Sequence, residues 1–301
     1  MLGTKHYLRE LLGDNWLHSS SCLNEFFLQG ILLLHPTFFK KIVTPPQEKN
    51  WNGQIDILEQ DLVGARGWTS IEECMELANL CSDYVVLRNF EYLPHNFWGN
   101  DSDIDLLCND LGSIRSVLNA IKRGHGISSY VIKVKGRPVP LDIRFLGDNY
   151  YDSLWQRDML RKKKYHNKIV PRLSDEDYFF SLLYHCKLQK VNVKAKYIPI
   201  LIATGRIIGL TITEDDIIND EAAAQIINGY LKGSGYTFTS PIDRGVHLNK
   251  NVYKYITELG RFRRGFARGM LSELIKKTYY VVPSQIKKLI PSSTKAFFRK
   301  I

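Results

Sequence analysis

Apolar and polar positions along this chain change period several times, and each change marks an expected element. Residues 1–44 repeat apolar positions at helical spacing, with clusters at Leu8, Leu11 and Leu12 and again from Phe26 to Leu34, ending near Pro36. The stretch Val43-Thr-Pro-Pro-Gln-Glu-Lys-Asn-Trp-Asn-Gly is rich in turn formers and reads as a loop. Ser70-Ile-Glu-Glu has capping-box spacing, with Ser70 as N-cap and Glu73 expected to return to its amide. The helix it opens carries Ile71, Met75, Leu77 and Ala78 inward and ends near Ser82. A short buried strand follows at Tyr84 to Leu87, and a second at Ile104 to Cys108. Ser113 to Arg123 is expected as a helix closed by Gly124 and Gly126.

Alternation from Ser129 to Lys135, a turn at Gly136-Arg-Pro and an apolar run from Val139 to Phe145 predict a hairpin. Beyond Asp148 the pattern is helical. Leu173-Ser-Asp-Glu-Asp opens a helix through Lys190, and Thr213-Glu-Asp-Asp opens another to about Leu231. A second hairpin is expected from Gly235-Tyr-Thr-Phe-Thr to Val246-His-Leu-Asn, turning at Pro241-Ile-Asp-Arg-Gly. The expected fold class is α+β: a small mixed β-sheet backed by helices, then a mainly helical region with a small hairpin. Four regions follow: a helical 1–68, a core at 69–150, a helical substrate region with its hairpin at 151–260, and a tail at 261–301.

Composition changes this picture little, and charge changes it more. Apolar residues make up 44% and charged residues 24% of 301, enough for a real core. Five cysteines with no C-x-x-C pair fit reduced thiols better than a disulfide framework or a zinc site. The N-terminus is charged throughout and carries no secretory signal. The longest apolar stretch, Phe26 to Phe39, is broken by Gln29, His35 and Pro36 and is too short to span a bilayer.

The net charge of +10 sits in the tail, where eleven Lys/Arg face one Glu after residue 260. The tail interleaves its bases with large apolar side chains, as in Arg261-Phe-Arg-Arg-Gly-Phe. That pattern suits an anionic membrane surface and, less well, a nucleic acid. The expected location is cytoplasmic, with residues 261–301 as a peripheral contact to the inner membrane face.

Chemistry concentrates in two segments. In Ser102-Asp-Ile-Asp-Leu-Leu, Asp103 and Asp105 are two apart and project from one face of a strand. Carboxylates held that close repel unless a cation sits between them, and hard oxygen ligands suit Mg²⁺. Asp142, in Pro140-Leu-Asp-Ile-Arg-Phe, is an acid in a strand otherwise fit for burial, so it needs a partner. The plainer alternative pairs Asp142 with Arg144 or Arg137 and leaves the other acids decorating a strand entry.

Taken together, the helix and strand from Ile71 to Leu87, the Ser-Asp-x-Asp-apolar motif and the later apolar-Asp-apolar strand resemble the nucleotidyltransferase superfold, the fold of polymerase beta. The likeness covers about residues 70–150 and extends weakly to the Leu182-Leu-Tyr-His185 helix. It implies Asp103 and Asp105 as the metal pair, Asp142 as the third metal-binding acid that activates an acceptor hydroxyl, and Mg²⁺ as cofactor. It further implies a nucleotide donor and a hydroxyl acceptor such as a sugar or surface-glycan precursor.

Where the family carries Gly-Ser after its first strand, this chain has Leu87-Arg-Asn. Arg88 and Asn89, with Ser102, therefore become the candidates for holding phosphate. For Arg88 the alternative is an ion pair with Glu91 or Asp83. Gly99-Asn-Asp-Ser is a further source of backbone amides. Some members of the fold move phospho-groups from a cytidine diphosphate carrier, so the donor stays open. Two other classes remain: a D-x-D glycosyltransferase, and a non-catalytic binding protein on the same fold. His185 and Arg161-Lys-Lys-Lys read first as a core histidine and a solvated helix face.

Overall fold

The computed structural model describes residues 2–13, 20–34, 36–44, 63–100, 103–190 and 192–256. The basic tail, Asp101 and Ser102 lie outside these residues. The described N-terminal residues form helices α1 (Leu2–Leu12), α2 (Leu23–Leu33) and α3 (Pro36–Val43). Helix α4 (Ile71–Cys81) starts where the sequence predicts, with the Ser70 hydroxyl accepting from the Glu73 amide at 3.0 Å. The reciprocal half differs from expectation. The Glu73 carboxylate turns to the amide and hydroxyl of Thr69, one residue earlier, and satisfies that donor instead.

Among the described residues seven strands form one mixed sheet: β1 (Tyr84–Val86), β2 (Ile104–Cys108), β3 (Ile121–Lys122), β4 (Ser129–Val134), β5 (Arg137–Phe145), β6 (Lys164–His166) and β7 (Val170–Arg172). Their order across the sheet is β3-β4-β5-β2-β1-β7-β6. The inner strands β1 and β2 are buried at every position, which explains their unbroken apolar runs. Strands β2 and β5 run parallel, while β1 and β4 pair antiparallel to β2 and β5 respectively. The β4–β5 turn is Lys135-Gly136 rather than Gly136-Arg-Pro, and both turn residues have positive φ, as a two-residue hairpin loop requires.

Helix α5 (Leu111–Leu118) is shorter than expected. Asn119 takes a left-handed conformation (φ 51°) and ends it before Gly124, leaving Ile121–Lys122 to pair as an edge strand. The pair β6–β7, absent from the sequence expectation, carries the sheet beyond residue 150 through a parallel contact of Val86 with Arg172. Its three-residue strands contain Lys, His, Pro and Arg, so no period is legible in them.

The second half packs α6 (Ser153–Arg161), α7 (Asp175–Leu188), α8 (Tyr197–Ile207), α9 (Glu214–Ile218), α10 (Asp220–Ser234) and α11 (250–256) beside the sheet. The expected helix from Thr213 to Leu231 is two helices. Asn219 ends α9, and its side chain accepts from the amides of Glu221 and Ala222 to start α10. The hairpin expected at 235–249 is not present. Gly235 closes α10 at φ 75°, and the extended chain then uses other partners: Thr237 donates twice to Asp152, and the Ile242 amide donates to the Asp148 carbonyl. Tyr236 and Phe238 turn inward to join Trp155, Tyr184 and Tyr230 in an aromatic cluster. Side-chain burial and side-chain hydrogen bonds thus replace a strand ladder. All five cysteines are free thiols. Among the described residues no helix is long and apolar enough to cross a membrane.

Candidate functional site

Parallel pairing of β2 with β5 sets Asp105 opposite Asp142. Adjacent strands lie about 4.8 Å apart and register partners in a sheet face the same side, so the two carboxylates project from one face. Asp103 enters from the residue before β2, two positions along on the same face. These three acids line one cavity of about 550 Å³ together with Arg88, Asn89, Arg144, Tyr150, His185, Gln189, Asp243 and a rim of lysines. The structure thus brings together five of the six residues singled out from the sequence, and the sixth, Ser102, is outside the described residues. Glu91 and Asp83 do not pair with Arg88: Glu91 accepts from Tyr178, and Asp83 pairs with Lys163.

Two arginines already serve the acids. Arg88, just after β1, places Nη2 2.5 Å from Asp105 Oδ1, and both side chains are buried. Its guanidinium is therefore engaged on a carboxylate of the cavity floor. Arg144 lies two residues past Asp142 on the same face of β5. It donates from Nη2 to Asp142 Oδ2 at 3.1 Å and from Nη1 to Asp243 Oδ2 at 3.1 Å, while its charge rests 4.1 Å from the Tyr150 ring. The Asp142–Arg144 pair weighed in the sequence is present. Asp142 stays incompletely satisfied, however. Its Oδ1 is buried without a hydrogen bond, although Arg144 Nε stands 3.0 Å away.

Electrostatics report the crowding. Burial pushes the Asp105 carboxyl above its ordinary range, Arg88 opposes this, and the charges of Asp142 and Asp103 push it further up. Arg88 is held above its own ordinary value, with burial opposed by Asp105 and more distant acids. The guanidinium stays charged, and a second cation near the acids would relieve the remaining repulsion.

His185 is a neutral polar group of the cavity wall, because burial and then the Arg88 charge lower its pKa well below the usual value. Gln189 Nε2 donates to the Tyr150 carbonyl at 3.2 Å, which turns Gln189 Oε1 toward His185 Nδ1 at 3.3 Å. The Tyr150 hydroxyl lies 3.1 Å from the same Nδ1, so this edge of the imidazole is held by protein groups. Asn89 takes a left-handed conformation (φ 56°) at the cavity.

Among the described residues, no three His, Cys, Asp or Glu side chains already stand as a metal-holding group. The donor set nonetheless suits Mg²⁺ in chemistry: three carboxylates line one cavity, and the charges of Asp103 and Asp142 act against that of Asp105. Sequence reasoning missed Tyr150, Gln189, Asp243 and the lysines. Asp243 lies 99 residues from the arginine it binds, and no local pattern marks such a partner. The lysines did leave a trace, since residues 178–213 contain five Lys/Arg and no acid.

No family model, no curated protein and no solved structure matches this chain.

Proposed function

We propose that this protein is a Mg²⁺-dependent transferase of nucleotidyltransferase-like fold, moving a nucleotidyl or phosphoryl-containing group from a nucleotide donor to a hydroxyl acceptor. One observation carries the reading: the β2–β5 register sets Asp105 against Asp142, with Asp103 adjacent, on the floor of a single polar cavity. Asp103, Asp105 and Asp142 are the residues that would hold the metal. When bound, it would supply charge neutralisation for phosphate oxygens and a lowered pKa for the acceptor hydroxyl.

The chain's own part is positioning and proton transfer. Asp142 takes the proton of the attacking hydroxyl as the new oxygen–phosphorus bond forms and the bond to the leaving group breaks. Arg144 fixes the Asp142 carboxylate through its second oxygen, and Asp243 in turn fixes Arg144. Arg88 prevents Asp105 from standing buried and unpaired before the donor arrives. A sugar or surface-glycan precursor is a suitable acceptor for the polar lining, and the basic residues 261–301 would keep the protein at an anionic membrane face.

The arginine pairing favours a second reading, in which the charges of a once-catalytic site are satisfied within the chain and the cavity only binds. A glycosyltransferase has less support, because among the described residues only the short β1 precedes the Asp103–Asp105 motif. Mass spectrometry of full-length protein with Mg²⁺, each nucleoside triphosphate or UDP-sugar, and a panel of polyols and sugars separates the three. The proposal expects a nucleotidyl or phospho adduct that Asp142→Asn abolishes. Nucleotide binding without any adduct supports the binding protein, and a glycosyl adduct supports the glycosyltransferase.

A further inference from the structure

The rim of the cavity differs from its floor. Lys190, Lys194 and Lys196, all in the segment joining α7 to α8, line the same cavity as the three acids. Their neighbour Lys187 shows what a structural lysine does here: it is buried, bonds the Ile218 carbonyl and pairs with Asp220 at 2.7 Å. The rim lysines have no such carboxylate. Among the described residues the Lys190 and Lys194 ammonium groups make neither an ion pair nor a hydrogen bond, and that of Lys196 only rests 5.1 Å from the adjacent Tyr197 ring. Helix α7 beyond Asp177, the connection and all of α8 contain no acid that could serve them.

Three ammonium groups gathered at one mouth repel each other and favour an anion with several charges. The acids across the cavity do not fill this need, since Arg88 and Arg144 hold two of them. Lysine presents a mobile point charge on a flexible stem, suited to phosphate oxygens whose spacing it need not match in advance. A chain of phosphates laid between rim and floor would meet ammonium groups on one side and the carboxylate wall on the other.

We infer that Lys190, Lys194 and Lys196 form the phosphate-holding side of the cavity and bind the polyphosphate of the nucleotide donor, in place of the missing Gly-Ser turn. This rests on the proposed transferase for the word donor, but the phosphate site itself can be tested without any transfer.

The test is calorimetric titration of the full chain with inorganic tripolyphosphate, and separately with nucleoside triphosphates, diphosphates and bare nucleosides, in EDTA so that no divalent metal bridges to the acids. Wild type is expected to bind tripolyphosphate and the triphosphates, more weakly as salt rises. Each of Lys190→Ala and Lys194→Ala should weaken binding by about tenfold or more, as the loss of a charge-assisted contact does. Lys194→Arg should retain most of the affinity. Lys232→Ala, which removes the same charge from the last turn of α10, should change nothing. Diphosphates binding as tightly as triphosphates would point to a diphosphate carrier as the source of the same chemistry and still support the site. Absence of tripolyphosphate binding by wild type, or undiminished binding by the folded Lys190→Ala/Lys194→Ala double variant, overturns the inference. Failure of the transferase reading looks different: tripolyphosphate binds through the lysines while no adduct forms under any condition.

Discussion

The floor and the rim of the cavity carry opposite charges, and they differ more in how those charges are answered. On the floor, Asp105 and Asp142 are each met by an arginine from their own neighbourhood, and Arg144 is braced again by Asp243. On the rim, Lys190 and Lys194 meet no carboxylate among the described residues. Buried charge has to be compensated for the chain to fold, so floor pairing is a condition of the fold. Exposed charge need not be compensated, so its clustering around one cavity is better explained by a ligand. Substitutions should therefore act on stability at the floor and on binding at the rim.

The largest expected effect is at the floor. Arg88→Ala leaves Asp105 buried without its partner and should cost about 3–5 kcal/mol in chemical denaturation. A cost below about 1 kcal/mol would mean that water reaches Asp105 and that the contrast with the rim is false. Next comes a pH effect from His185. Its pKa is lowered in the folded protein, so below about 6.5 the unfolded chain takes up a proton that the folded chain refuses. That component of stability falls as pH drops, by up to about 1.4 kcal/mol per unit. Asp105, raised above its ordinary value, works the other way above about pH 4, so the difference between wild type and His185→Gln isolates the histidine. His185→Gln should lose that share of the slope between pH 6.5 and 5. Identical slopes would place a charged imidazole at the cavity wall.

Two smaller effects sharpen the comparison. Arg88→Met combined with Asp105→Leu replaces the ion pair by apolar groups and should recover most of the loss, ending within roughly 1–2 kcal/mol of wild type. Recovery that fails would show that the pair does more than neutralise itself. Lys194→Ala should change stability by no more than about 0.5 kcal/mol, because its ammonium group has no ion pair or hydrogen bond in the described fold. A larger loss would make the rim lysine a structural partner.

The same contrast bears on what the amino-acid order makes legible. Asp103, Asp105 and Asp142 stand out because acids interrupt apolar strand patterns, and short-range periodicity places them on matching faces. The start of α7 is equally plain, since Ser174 before three acids is a strong N-terminal signal and its hydroxyl does accept from Asp177. The strands β6 and β7 are not legible, because three-residue strands of mixed residues carry no period and gain their place only by docking on β1. The segment 235–249 reads as a hairpin because aromatic and threonine residues alternate there. Its backbone instead bonds Asp152 and Asp148, partners about ninety residues away in sequence. Arg88 was legible as a special residue and not as the partner of Asp105, a pairing that depends on β1 and β2 lying side by side.

Metal binding by the three floor acids is read without any reaction by following Mn²⁺ with electron paramagnetic resonance. Titrations of wild type and of Asp103→Asn and Asp142→Asn, with and without a nucleoside triphosphate, report bound ions independently of any reaction. One or two Mn²⁺ per chain are expected to bind, tighter with the triphosphate and weakened at least about tenfold by either substitution. Mn²⁺ binding that is absent in wild type, or that survives both substitutions unchanged, would contradict it.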